Sequence, residues 1–147
     1  MNINPPVPAP PSPFPFPIFK WRLGLTAAQA PYMGAPWSKP MISRVLVGGY
    51  EKWVAFIGGG VQSPGAADSG RGLFVIDLVD GSILWSFTKA NDANLDYPMP
   101  APPAIVDSDN DGFIDTVYLG DLGSTLWRFT LCRNADDEQD ECEREQP

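Results

Sequence analysis

Two eight-residue segments of this chain are nearly identical, and this internal repeat constrains the fold more than any other feature. Residues 81–88 read Gly-Ser-Ile-Leu-Trp-Ser-Phe-Thr and residues 123–130 read Gly-Ser-Thr-Leu-Trp-Arg-Phe-Thr, so six of eight positions agree at an offset of 42. A period of 40–45 residues built from short strands is typical of the blades of a β-propeller. A chance match between two hairpins of a β-sandwich is the alternative interpretation.

Short segments rich in β-branched and aromatic residues recur from residue 41 onward and predict antiparallel strands. Gly48 and Gly49 make a tight link between the first two segments, and Asp80-Gly81 is a hairpin signal between the next two. Four strands in meander order predict one antiparallel sheet, and the pattern then begins again. The predicted strands cover residues 41–47, 52–57, 73–78, 83–88, 104–106, 117–119 and 125–131.

The strand pattern predicts an all-β fold whose antiparallel meander sheets resemble propeller blades. Side chains alternate between the faces of a strand, so Trp127 and Phe129 are predicted to share a buried face. Propellers usually need four or more blades, but only about 95 residues carry blade-like sequence, enough for about two. We therefore expect an incomplete ring, which is either a fragment or covered by other copies or by the N-terminal arm.

Composition divides the chain into three predicted parts. Residues 1–35 form an extended Pro-rich arm, because residues 5–17 hold eight prolines and favour polyproline II. Residues 36–131 carry the blades, and residues 132–147 form an acidic tail with seven acids and two arginines. One short helix is expected around residues 26–30.

Composition also argues against several functions. The net charge of −8 comes without a basic stripe, which argues against nucleic-acid binding, and no apolar run is long enough to span a membrane. The chain has no histidine, the commonest general base, so no enzymatic activity is predicted. Cys132 and Cys142 either close a disulfide in an exported protein or remain free thiols.

The segment with the clearest chemistry is residues 107–115, which we call the aspartate loop. Its pattern D-x-D-x-D-G-x-x-D offers oxygens at alternating positions, and Gly112 permits the sharp turn that such a loop needs around a cation. Calcium takes six to eight oxygen ligands and suits this arrangement. The predicted ligands are the carboxylates of Asp107, Asp109, Asp111 and Asp115 (the last directly or through water) and the backbone carbonyl of Phe113.

The aspartate loop differs from an EF-hand, because Tyr118 occupies the position of the bidentate Glu and the flanking segments are strands. A solvated acidic turn is the alternative, but four carboxylates within nine residues repel one another without a cation. Calcium is a poor activator of water and no nucleophile accompanies the loop, so a structural ion is expected.

A series of segments between residues 37 and 131 occurs in the order found in one known family. They are Trp-Ser-Lys-Pro at 37–40, Lys-Trp-Val-Ala-Phe-Ile-Gly-Gly-Gly at 52–60, Leu-Phe-Val-Ile-Asp-Leu at 73–78, Gly-Ser-Ile-Leu-Trp at 81–85, Ala-Pro-Pro-Ala-Ile-Val-Asp at 101–107, and Tyr-Leu-Gly-Asp-Leu-Gly-Ser-Thr-Leu-Trp-Arg-Phe at 118–129. This region resembles the C-terminal propeller of the PilY1/PilC family of type IV pilus tip proteins.

The resemblance implies an exported, calcium-dependent protein of the cell surface that helps pilus assembly and adhesion. It carries over Asp107, Asp109, Asp111 and Asp115 as ligands, whereas members of the family are much longer and have a full set of blades. The hairpins also resemble blades of quinoprotein dehydrogenases that use pyrroloquinoline quinone. The aspartate loop is similar to the FG-GAP repeats of integrin-like propellers, which are binding modules.

An incomplete ring has a consequence for assembly. About two blades leave apolar sheet faces and sheet edges exposed, and the burial of apolar surface favours association. The arm carries Phe14, Phe16, Ile18 and Phe19 among prolines, and such a segment can lie across an aromatic groove of a neighbouring copy. The sequence therefore predicts self-association, either as a homo-oligomer or head to tail as a filament, or binding to pilus subunits.

Overall fold

The computed structural model describes residues 19–131, which contain seven β-strands and one short 3₁₀ helix. The strands form a first sheet of order β1-β2-β3-β4 and a second of order β5-β6-β7, and every pairing is antiparallel. This confirms the predicted all-β fold of blade-like meander sheets. The strands are β1 (Met41–Val47), β2 (Tyr50–Gly58), β3 (Gly72–Asp77), β4 (Ile83–Thr88), β5 (Ala104–Val106), β6 (Thr116–Gly120) and β7 (Leu126–Thr130).

The turns of the first sheet follow from their glycines. Val47 pairs with Tyr50, and Gly48 and Gly49 between them have φ values of +56° and +80°. Two successive positive φ angles suit the tightest hairpin turns, which other residues resist. Strands β1, β4 and β5 have the predicted bounds, and the other strands agree within two residues at each end.

The core lies between the two sheets and is filled by apolar side chains from both. The stacked pair Trp85 and Phe87 on β4 meets Phe129 on β7 edge to face, with ring centres 6.3 and 5.6 Å from that of Phe129. Phe129 is buried and Trp127, stacked on it, is half-buried, as predicted for this face. The fully buried members are Val54, Phe56, Leu73, Leu95, Met99, Val117 and Leu119.

Gln29, from the segment that precedes β1, lies on the outer face of the first sheet, opposite the second sheet. The side-chain amide of Gln29 donates to the hydroxyl of Ser86, which pairs across the strands with Phe74. Cross-strand partners share a face, so this segment helps to bury Phe74, which is 0% exposed. A single 3₁₀ turn at Ala30–Tyr32 replaces the helix expected around residues 26–30, because Pro31 favours the start of a helix there.

The first glycine of each repeat makes room for an aromatic ring. A Cβ on Gly81 would lie 2.5 Å from the ring of Trp21, whose indole N–H donates to the carbonyl of Leu78 at 3.0 Å. A Cβ on Gly123 would likewise collide with the ring of Tyr97. Each hairpin is therefore held by an aromatic residue from the chain segment that precedes its sheet.

The predictions for Cys132 and Cys142 concern residues outside the described part, as do those for most of the Pro-rich arm and the acidic tail. Within residues 19–131, no helix is long and apolar enough to cross a membrane.

Candidate metal centre

The aspartate loop connects β5 to β6 and folds through its own carboxylates. Asp107 accepts hydrogen bonds from the backbone N–H groups of Asp111 and Gly112, at 3.1 and 2.8 Å. Asp111 accepts from the N–H of Phe113 at 2.9 Å. Short Asp side chains readily cap nearby backbone donors in this way. Gly112 has a φ of +93°, which explains why the pattern requires glycine at this position.

The loop brings three of the predicted ligands together. Asp107, Asp109 and Asp115 each offer a carboxylate oxygen, and these oxygens lie within 4.8 Å of one another. Two oxygens bound to one calcium ion at 2.3–2.6 Å are separated by no more than about 5 Å, and the spacing within the cluster is below this limit. Asp111 is not a member of the cluster, and its carboxylate is instead close to the N–H of Phe113.

Asp115 is half-buried, and hydrogen bonds hold it in its charged form. Ser108 donates to one of its oxygens from both the backbone N–H, at 2.9 Å, and the hydroxyl, at 2.8 Å. Burial raises the pKa of the Asp115 carboxyl, but hydrogen bonds from Ser108 and Thr116 outweigh it and lower the pKa below its ordinary value, despite the nearby Asp109 carboxylate. Asp115 is therefore available as an anionic ligand at neutral pH.

The loop is attached to the first sheet by Arg44 of β1. The backbone N–H of Ile114 donates to the carbonyl of Arg44 at 2.9 Å. The guanidinium of Arg44 lies 5.3 Å from the ring centre of Phe113 and 5.9 Å from that of Trp53, within the range of cation–π attraction. Glu51 is 3.6 Å from the same guanidinium.

Two backbone hydrogen bonds also attach the loop to the second sheet. The N–H of Asp115 donates to the carbonyl of Val106, and the N–H of Leu131 donates to the carbonyl of Asp115 at 2.7 Å. The cluster therefore lies where β1 of the first sheet meets the ends of β5 and β7 of the second sheet. Sequence analysis identified the carboxylates but missed Arg44 and Trp53, because no local pattern connects these distant residues to the loop. It also missed the role of Ser108, whose side chain contacts Asp115 only once the loop is folded.

Two stacked antiparallel meander sheets with an Asp-rich loop between strands define a partial β-propeller. Residues 28–147 match the sequence model of a protein family that is described as the PilY1 beta-propeller domain. The chain belongs to this family, which confirms the prediction made from the sequence.

Curated relatives and a solved structure agree with this assignment. The chain is 31% identical over 111 residues to the type IV pilus biogenesis factor PilY1 of Pseudomonas aeruginosa and 34% identical over 113 residues to a PilY1 homolog of Xylella fastidiosa. These matches cover 76% and 75% of the chain but only 9% and 8% of the relatives. The crystal structure of the Pseudomonas aeruginosa PilY1 C-terminal domain superposes with a TM-score of 0.56 and 28% identity, over 73% of this chain and 20% of that one.

Proposed function

We propose that this chain is a calcium-binding, non-catalytic propeller module that acts at the cell surface in type IV pilus biogenesis or attachment. The observation that carries the metal-binding part is the cluster of Asp107, Asp109 and Asp115 oxygens within 4.8 Å of one another. Family membership supports the pilus role, because the relatives are named type IV pilus biogenesis factors. The chain spans less than a tenth of their length, so the pilus role is proposed for one module that corresponds to a small part of these longer proteins.

Calcium in this module would have a structural role. Asp107, Asp109 and Asp115 would hold the ion, with Asp111 and the carbonyl of Phe113 as further ligands. The positive charge would offset the mutual repulsion of the carboxylates. Since the same loop is bonded to Arg44 of the first sheet and to Val106 of the second, an ordered loop would also strengthen the contact between the sheets.

Isothermal titration of chelator-treated protein with CaCl₂ tests the metal site. We expect one site per chain, and we expect its heat to disappear in the double variant Asp109→Ala, Asp111→Ala. A matched control is Asp80→Ala, Asp92→Ala, because these two aspartates also cap turns on exposed loops but lie outside the cluster. Unchanged heat in the first double variant contradicts the metal site.

Genetic complementation in the organism that makes the chain tests the pilus role separately. Deletion of the gene should reduce the number of pili on intact cells, counted by electron microscopy. The control variant should restore them, and the Asp109→Ala, Asp111→Ala variant should not. If neither deletion nor complementation changes the number of pili or the attachment of cells to a surface, the pilus role is wrong even if calcium binds.

A further inference from the structure

An apolar groove of about 240 Å³ lies between the two sheets, near the turn that connects β1 to β2. One wall is formed by β1, β3 and β4, including Val47, Leu84 and Trp85. Ile114 of the aspartate loop and Leu131 form part of the other wall. An apolar cavity of about 150 Å³ can hold benzene, so this groove has room for a phenylalanine ring.

We propose that this groove binds an aromatic segment of the N-terminal arm of the same chain, residues 14–18. This segment reads Phe-Pro-Phe-Pro-Ile, so large apolar side chains alternate with prolines. Proline-rich segments bind to grooves lined by aromatic side chains because their extended conformation is largely fixed before binding. Trp85 supplies such an aromatic wall, and the aliphatic side chains around it exclude water.

The described chain places Trp21 at the turn before β4, and Leu84 and Trp85 of this strand line the groove. Trp21 is fixed on the turn between β3 and β4 by its contact with Gly81 and its hydrogen bond to Leu78. Gly81 precedes Leu84 in the groove wall by three residues, a span of at most about 11 Å. Phe16 precedes Trp21 by five residues, a reach of about 15 Å in polyproline II. Since β4 is the edge strand of the first sheet, a reach of this length allows Phe16 to pass that edge from the outer side and enter the groove of its own chain.

The chemistry of the two chain ends favours the arm over the tail as the occupant. The acidic tail begins directly after Leu131 at the groove, but residues 132–147 carry seven acids and two arginines. Burial of unpaired carboxylates in an apolar groove is unfavourable. The arm has no charged residue between Met1 and Phe19 apart from its amino terminus. A short tether also raises the effective concentration of the arm at its own groove above that of a second copy.

Disulfide trapping in the full chain tests the proposal. In a background with Cys132→Ser and Cys142→Ser, Phe16→Cys is combined with Leu84→Cys in the groove. The control combines Phe16→Cys with Leu126→Cys, which lies 70% exposed on the far side of the second sheet. A disulfide needs Cα atoms within about 7 Å, so we expect the Leu84 pair to form an intrachain bond at least fivefold faster than the control pair. Equal rates, or a disulfide-linked dimer as the main product, would overturn the proposal.

A second measurement uses the dye 1-anilinonaphthalene-8-sulfonate, which fluoresces on apolar surface. The full chain with Phe14→Ser and Phe16→Ser leaves the groove open, and we expect its dye fluorescence to rise at least twofold. Val7→Ser removes an apolar side chain of the arm far from Trp21 and should leave the fluorescence unchanged. No rise in the first variant, or an equal rise in both, contradicts docking of residues 14–18.

Discussion

The backbone N–H of Ile114 donates a 2.9 Å hydrogen bond to the carbonyl of Arg44, and this bond connects the aspartate loop to the first strand of the chain. The side chain of Arg44 reinforces the connection, because its guanidinium faces the rings of Phe113 and Trp53. A residue 63 positions before the cluster therefore helps to determine the position of the candidate ligands.

A double-mutant cycle measures this connection. Arg44→Ala and Phe113→Ala should each lower the free energy of unfolding, with a coupling energy of about 0.5–1 kcal/mol between the two side chains. Urea unfolding of the four proteins, each with saturating calcium and each with chelator, provides the values. Arg44→Lys should retain only part of the coupling, because a lysine lacks the planar guanidinium. If the losses in free energy of unfolding of the two alanine variants simply add, the contact between Arg44 and Phe113 contributes nothing to stability.

Calcium is expected to raise the melting temperature of the wild-type chain. A ligand that binds only the folded state at 100 times its Kd stabilises that state by about 2.7 kcal/mol. Differential scanning fluorimetry in chelator and in increasing CaCl₂ should show this rise for the wild type and for the Asp80→Ala, Asp92→Ala control. The Asp109→Ala, Asp111→Ala variant should melt at one temperature in all conditions.

Gly123→Ala should destabilise the fold by about 1–3 kcal/mol, the usual cost of an overpacked site. Its Cβ would collide with the ring of Tyr97. Gly120→Ala is the matched control, since the nearest atom to its Cβ is 3.9 Å away. In a Tyr97→Ala background the penalty at Gly123 should largely disappear. A penalty that persists there would assign the effect to the backbone of the turn.

The ion pair between Lys52 and Asp77 should make stability depend on pH. Their charged atoms are 2.7 Å apart, and the Asp77 side chain is 7% exposed. The hydrogen bond from Lys52 and that from the N–H of Val79 lower the pKa of Asp77 below its ordinary value of 3.8. The carboxylate therefore stabilises the folded state above about pH 4 and loses this effect as the pH falls further.

Comparison of the wild type with Asp77→Asn tests this pH dependence. Urea unfolding should show a lower stability for the variant at pH 7, and the difference should shrink below pH 4. The pKa of Lys52 is raised by the same contact, so the contribution of its ammonium should persist below 10.5 and disappear as the pH rises through the folded value. A difference that stays constant from pH 7 to pH 3 would contradict the assignment.

The chain is expected to self-associate through the outer face of the second sheet. Val106 and Leu126 lie on this face and are 37% and 70% exposed. Sedimentation velocity at micromolar concentration should detect oligomers that dissociate in the Leu126→Glu variant. Deletion of residues 1–18 should leave the association unchanged if the arm occupies its own groove. A compact monomer from the intact chain would show that the exposed face is too small to drive association.

The lack of enzymatic activity stays a prediction from the sequence, which contains no histidine. Dye reduction by the purified chain in the presence of pyrroloquinoline quinone would contradict this prediction, and would favour a dehydrogenase instead.

The sequence predicted the local features well, because their signals lie in neighbouring residues. Paired glycines located the first hairpin at Gly48 and Gly49, and strand alternation placed Trp127 and Phe129 on one face of the sheet. It could not predict the contacts between distant segments. Gly123 was interpreted only as part of a repeated pattern. In the structure, the absence of a side chain at this position leaves room for the ring of Tyr97.

The segment that precedes β1 contacts the outer face of only one of the two sheets, which makes the two outer faces different. A blade placed before the first sheet would have to displace Trp21 and Gln29 from the turn and the strand that they cover. The second sheet has no such cover on its outer face within the described residues, where Leu126 remains exposed. A further blade, whether from the same polypeptide or another, would therefore meet bound side chains on the outer face of the first sheet and an exposed Leu126 on that of the second.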